Sequence, residues 1–151
     1  MQTFFKNVNR DLKFSLIKEK TKVNHTFTLR VEFTIVSNYK GTIEKHSITS
    51  EEGTNLLDAI NEAGLENISV FGVCNKQLAC HSCAVHVVNK YELLEKPSEN
   101  EIDVHCELGE LYRANCTRMS CQIFLNQNMK GMEIEIPRSA FFFCNQEDDS
   151  K

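Results

Sequence analysis

The sequence predicts an α+β domain built on a mixed sheet, and three observations carry that reading. Segments of strand period and of helix period succeed one another as two strands, a helix, a cysteine-rich loop, a strand, a second helix and two more strands. Phe27, Leu29, Val31, Phe33 and Ile35 alternate with Thr28, Arg30, Glu32 and Thr34, the period of a half-buried strand. Three cysteines, Cys74, Cys80 and Cys83, crowd one loop while a fourth, Cys121, lies far downstream. At 151 residues the chain fits one domain with a core large enough to fold alone, and it has no internal repeats.

Taken in order, Asn38-Tyr39-Lys40-Gly41 reads as a turn, and Thr42–Ile48 returns as a less regular strand, making a hairpin. Thr54 is a helix N-cap, with Leu56, Leu57, Ile60 and Ala63 at helical spacing and Gly64 closing the element. The chain enters the cysteine loop through Gly72 and leaves it as a short strand, Ala84–Val88. Ser98 then caps a second helix, with Glu101 as its capping-box partner. Ile102, His105, Leu108 and Leu111 give that helix an apolar stripe, while Glu99, Asp103 and Glu107 line another face; Gly109 weakens its second half. Cys121–Leu125 and Met132–Ile136 are the last two strands.

The cysteines carry the chemistry. Gaps of five and two residues in Cys74-Asn75-Lys76-Gln77-Leu78-Ala79-Cys80-His81-Ser82-Cys83 wrap a short loop around one object, and Ser120-Cys121-Gln122 supplies a last thiolate from a distance. Four thiolates can hold a [2Fe–2S] cluster, two on each iron. The competing use is a structural zinc site, which more usually reads as two separated short Cys/His pairs than as three plus one. His81 adjoins Cys80 and cannot readily swing to the same metal, so it reads as a loop histidine; His25, His46 and His105 read as surface or satisfied core residues. Seven cysteines is an odd number and argues against a fully paired disulfide framework. Cys106, Cys116 and Cys144 are assigned no chemistry.

Charge narrows the partners. Residues 1–22 hold Lys6, Arg10, Lys13, Lys18, Lys20 and Lys22 against Asp11 and Glu19, a net of +4, so with −4 overall the remainder carries −8. An oxidised cluster with its thiolates would add about two further negative charges. Nucleic acid is excluded as a partner by that anionic body, and basic protein surfaces are favoured. No run of about 18 apolar residues is present to span a membrane. The chain divides into residues 1–25, a basic tail or an organellar targeting segment; 26–140, the folded domain; and 141–151, a polar tail.

With those residues in view, the chain resembles the adrenodoxin-type [2Fe–2S] ferredoxins, the vertebrate and mitochondrial branch of the β-grasp ferredoxins. Five residues separate the first two cysteines, where plant-type ferredoxins have four. Gly53-Thr54-Asn55-Leu56-Leu57-Asp58-Ala59, Leu78-Ala79-Cys80, Arg118-Met119-Ser120-Cys121-Gln122-Ile123 and Gly131-Met132-Glu133-Ile134-Glu135-Ile136-Pro137 match further segments of that family. The likeness runs from about Phe27 to Pro137. It implies a β-grasp fold, one [2Fe–2S] cluster on Cys74, Cys80, Cys83 and Cys121, and one-electron transfer rather than catalysis. No nucleophile–base pair, flavin or nucleotide motif is present. The implied donor is an NADPH-dependent flavoprotein reductase of the adrenodoxin reductase kind. The implied acceptor is the iron–sulfur cluster assembly machinery, with its cysteine desulfurase and scaffold, or alternatively a mitochondrial-type cytochrome P450. The implied location is the mitochondrial matrix or a mitochondrion-related organelle. A zinc-stabilised binding module is the reading from a different class.

The chain departs from that family in four places. Asn75 and Lys76 stand where an acidic residue and a glycine usually follow the first ligand; the lysine would set a cation beside the cluster and raise its potential. Ala84 replaces the usual histidine after the third cysteine, so a hydrogen-bonded link from the cluster loop to the interaction region is either missing or supplied by His81 or His86. Arg118-Met119-Ser120 replaces a basic-leucine-glycine run. The second helix is less acidic than the family's docking segment; Glu101 reads as a cap, and Asp103, Glu107 and Glu110 as the docking residues.

Overall fold

The first strand forms where the apolar alternation is strongest. The computed structural model describes residues 28–39, 42–65 and 68–137. The expected targeting segment and C-terminal tail, Phe27, His25, Cys144 and the Lys40-Gly41 turn centre therefore lie outside the described residues. Strand β1 spans Arg30–Tyr39 and pairs antiparallel with β2, Thr42–Glu51, in a register that sets Phe33 opposite Ile48 and Tyr39 opposite Thr42. Val31, Phe33 and Ile35 are fully buried on one face, each contributing about 1.5–3 kcal/mol by leaving water. Leu29 precedes the strand and is exposed, so the alternation ends one step earlier in space than in sequence.

Helix α1, Leu56–Glu62, covers that face with Leu56, Leu57, Ala59 and Ile60. Its N-cap is Asn55 rather than Thr54: the Asn55 side-chain oxygen accepts from the Leu57 amide at 3.2 Å. Asparagine is as good a cap as threonine, and its amide nitrogen has a second use described below. Strand β3, Ala84–Val87, is buried throughout, and helix α2, Glu99–Cys106, follows with Ser98 as its N-cap, accepting from the Glu101 amide at 3.2 Å. Gly109, at φ +55°, ends any continuation and starts a 3-10 turn, Gly109–Leu111.

Two expectations are corrected here. Cys121–Leu125 is not a strand. Its residues do alternate, with Cys121, Ile123 and Leu125 buried, but the backbone is spent on the segment before α1: Leu56 N–H reaches Ile123 O, Leu125 N–H reaches Thr54 O and Gly53 N–H reaches Leu125 O. The strand instead is β4, Thr117–Met119, immediately upstream. The inner face of α2 is Glu101, Val104 and His105, with Leu108 buried just beyond its end, while Ile102 is 47% exposed. A charged residue holds an inward position there because Arg118 is buried opposite it.

Strand β5, Met132–Glu135, lies parallel to β1 and antiparallel to β3, giving the mixed order β2-β1-β5-β3-β4. Among the described residues no helix is long and apolar enough to cross a membrane.

Candidate metal centre

The cysteine loop is shaped by backbone that few side chains favour. Asn75, Lys76 and Leu78 all adopt positive φ, at +53°, +67° and +53°. Lysine at +67° occupies the left-handed region where glycine is easiest. Gly72, at the loop's start, is required for space: a Cβ there would stand 2.7 Å from Leu57 Cδ2. The Ser82 hydroxyl donates to Phe71 O at 2.7 Å and closes the base of the loop.

The four predicted cysteines come together as two pairs. Cys74 neighbours Cys80 and Cys83 neighbours Cys121, each close enough to shift its partner's titration. Cys83 and Cys121 are buried, Cys74 and Cys80 partly so. Cys121 reaches its partner because β4 pairs with β3, setting Met119 opposite Ala84, and because a 3-10 turn over Ser120–Gln122 then swings the next residue inward. Ser120 donates from both its amide, at 3.0 Å, and its hydroxyl, at 2.8 Å, to Cys83 O. On the far side Asn55 Nδ2 donates to Cys121 O at 2.8 Å. The helix cap and the position of the last cysteine thus depend on one side chain.

Proton sharing polarises the buried pair. The hydrogen bond from Cys83 lowers the Cys121 thiol to about 6, against the opposing effect of burial, and Gln122 adds a further donor. Cys83, which holds the shared proton, is pushed well up by the same bond and by burial. Burial raises Cys80, but hydrogen bonds from Ser82 and Cys74 outweigh it and its net shift is downward. Cys80 Sγ lies 3.1 Å from Ser82 Oγ, and Gln122 Nε2 lies 3.3 Å from Cys121 Sγ. Two thiol pairs with polar donors at their sulfurs suit a binuclear cluster that takes two thiolates on each iron. Among the described residues no three His, Cys, Asp or Glu side chains gather as donors to a single ion.

Several neighbours were not legible beforehand. Glu101, 1% exposed, accepts from Arg118 Nε at 2.9 Å, Arg118 Nη2 at 3.1 Å and the Met119 amide at 2.8 Å. Arg118 Nη1 also reaches Glu95 O at 2.6 Å. Glu101 is therefore a buried counter-ion tying α2 to the strand that delivers Cys121, and its carboxylate does not close the expected capping box. Of the two histidines weighed for such a link, His86 makes a hydrogen bond of its own, its Nε2 donating to Leu111 O at 2.9 Å from β3 to the turn after α2. His105, expected to be exposed or satisfied, is buried with its Nε2 unpartnered among the described residues, 3.6 Å from Glu101 Oε1. Lys76 does not stand free beside the sulfurs: its ammonium pairs with Asp58 on α1 at 2.5 Å.

Asp103, Glu107 and Glu110 are all exposed, with Glu110 in the 3-10 turn rather than the helix. Glu107 alone of the three lines an open groove against the cysteine loop, shared with Phe71, Val73, Ala79, Cys80, His81 and Ser82. Cys106 is exposed and Cys116 half-buried, and both are free thiols apart from the four.

No protein-family model matches the chain. It is 31% identical over 96 residues to adrenodoxin-like protein 1, mitochondrial, of Drosophila melanogaster, covering 64% of this chain and 54% of that one. The chain thus spans about half the length of that curated relative. It is 32% identical over 96 residues to ferredoxin CarAc of a Sphingomonas species, covering 63% of this chain and 84% of that one. Among solved structures it is similar to the ISC-like [2Fe–2S] ferredoxin FdxB of Pseudomonas putida, with 26% identity, TM-score 0.59, and 72% and 93% of the two chains covered. The fold is also that of putidaredoxin in its covalent complex with putidaredoxin reductase, with 24% identity, TM-score 0.59, and 70% and 97% covered. The mixed sheet and the cysteine loop agree with those likenesses, and the chain belongs to the adrenodoxin-type [2Fe–2S] ferredoxins.

Proposed function

We propose that the protein is a one-electron carrier in which Cys74 and Cys80 hold one iron of the cluster and Cys83 and Cys121 hold the other. The observation that carries this reading is the delivery of the distant Cys121 to Cys83 by the β3–β4 ladder and the Ser120 hydrogen bonds to Cys83 O, with polar donors standing at the Cys80 and Cys121 sulfurs. When bound, the cluster accepts and returns one electron. The chain's part is to fix the four sulfurs, to offer them the Ser82 hydroxyl and the Gln122 amide, and to keep Cys83 and Cys121 from water.

The proposed donor is an NADPH-dependent flavoprotein reductase, a reading supported by the reductase bound to putidaredoxin in a structure of the same fold. The proposed acceptor is the iron–sulfur assembly machinery, its cysteine desulfurase and scaffold. The proposed location is the mitochondrial matrix or a related organelle, in keeping with the mitochondrial relative. Docking is assigned to Asp103, Glu107 and Glu110, since the anionic body would draw in a basic partner and Glu107 sits on the groove beside Cys80.

Single serine substitutions with iron and sulfide analysis test the ligand set. Cys74→Ser, Cys80→Ser, Cys83→Ser and Cys121→Ser should each lose the cluster, whereas Cys106→Ser, Cys116→Ser and Cys144→Ser should keep it. Full retention in Cys121→Ser would overturn the assignment, and a colourless parent with stoichiometric zinc would favour the zinc module. Reconstitution with NADPH and reductase then separates the acceptors. Electron delivery that supports cluster building on a scaffold favours assembly; turnover of a cytochrome P450 alone favours the other acceptor.

A further inference from the structure

The first turn of α1 reaches both halves of the proposed ligand set. Asn55 Nδ2 holds the Cys121 carbonyl at 2.8 Å, and Asp58 holds the Lys76 ammonium in the cysteine loop. Between those two points lies Gln122. Its Nε2 stands 3.3 Å from Cys121 Sγ and 3.3 Å from the carbonyl oxygen of Lys76. A primary amide has two N–H bonds and can serve both acceptors at once. The Lys76 carbonyl can be presented to Gln122 because the residue is held at φ +67°, a conformation lysine does not adopt by preference. Its side chain is pinned at the same time by the ion pair to Asp58. Asp58, Lys76 and Gln122 therefore form a clasp across the mouth of the loop that ends on a sulfur.

We propose that Gln122 sets the reduction potential of the cluster, donating one N–H to the Cys121 sulfur, and that the Asp58–Lys76 pair is the positioning device that holds its carboxamide there. The inference rests on the reading of Cys121 as a ligand. Reduction places an additional electron on the cluster and makes its sulfurs better acceptors, so a donor at sulfur favours the reduced state and raises the potential. Lys76 thereby acts through its carbonyl and its tether, with its charge answered by Asp58.

The test is a redox titration of the loaded protein followed by visible absorption and electron paramagnetic resonance. Gln122→Leu should lower the potential, with the reduced-to-oxidised ratio at a fixed solution potential falling about tenfold, which is about 59 mV for a one-electron couple. Gln122→Glu, of the same shape but without the donor, should lower it further; it also serves if the leucine variant does not hold its cluster. The double variant Asp58→Asn/Lys76→Gln is neutral overall. It should lower the potential in the parent and add no further shift in the Gln122→Leu background, because both act on one hydrogen bond. An unchanged or raised potential in Gln122→Leu or Gln122→Glu overturns the assignment to Gln122. Fully additive shifts overturn the clasp. These outcomes are read on proteins whose cluster is intact, whereas failure of the ligand assignment would appear as iron retained in Cys121→Ser.

Discussion

Replacing Arg118 by methionine should be among the most damaging single changes available outside the cysteines. The substitution keeps much of the apolar stem and removes the guanidinium. Glu101 is 1% exposed and takes two of its three donors from Arg118, at 2.9 and 3.1 Å; only the Met119 amide at 2.8 Å would remain. The Glu95 carbonyl would also lose its donor. Breaking a buried ion pair by removing one partner costs about 3–5 kcal/mol, because the survivor is left desolvated and incompletely paired. For a domain near 100 residues each kcal/mol is worth roughly 4–8 °C, so the melting point should fall by about 12 °C or more. The assay is the thermal midpoint of visible cluster absorption, run at two heating rates because loss of the cluster makes unfolding irreversible. The control is Glu101→Leu/Arg118→Met, in which neither charge remains; it should recover most of the loss. A fall of under about 3 °C in Arg118→Met, or a double variant as damaged as the single, would refute the reasoning.

Reversing Asp103 and Glu107 to lysine should slow reductase-dependent reduction by roughly tenfold or more at low salt and much less at high salt, with the visible spectrum unchanged; equal stopped-flow rates for variant and parent at low salt would leave the stripe a solvated face. Burial holds His86 and His105 below the ordinary value of 6.5, outweighing the Leu111 carbonyl and Glu135 that raise the first and the Glu101 carboxylate that raises the second. The unfolded chain then binds more protons than the folded one between the depressed and the ordinary values, so stability should rise with pH up to about 6.5 and level off above it. In denaturation series between pH 5 and 7.5, His86→Gln, which retains a donor for Leu111 O, should flatten that slope; an identical slope in parent and variant would assign it elsewhere.

Much of the molecule can be read from local pattern. The alternation from Val31 to Ile35 specifies β1 because period two suits only a strand with one buried face, and the structure buries that set. Ser98 marks the start of α2 through the chemistry of its hydroxyl, which needs no tertiary partner. Cys74, Cys80, Cys83 and Cys121 stand out because thiolates at those gaps have few other uses, and the likeness of the flanking segments to the adrenodoxin type carries the fold with them.

The rest depended on contacts between segments far apart in the chain. Cys121–Leu125 shows a strand's alternation, yet its hydrogen bonds go to residues 53–56, and no local pattern reveals which backbone will be the partner. Glu101 reads as a cap from its place after Ser98, but the buried guanidinium of Arg118, seventeen residues on, draws its carboxylate inward and turns Ile102 out to water. Lys76 reads as a free cation until Asp58, eighteen residues earlier, is seen to pair with it. Sequence by itself determined which residues can bear strand, cap and thiolate chemistry, since those are properties of a side chain and its near neighbours. Only the tertiary structure decided which charges are answered and which backbone is spent, because Coulomb attraction and hydrogen bonding act through space and their strength is set by burial, which no short stretch of sequence contains.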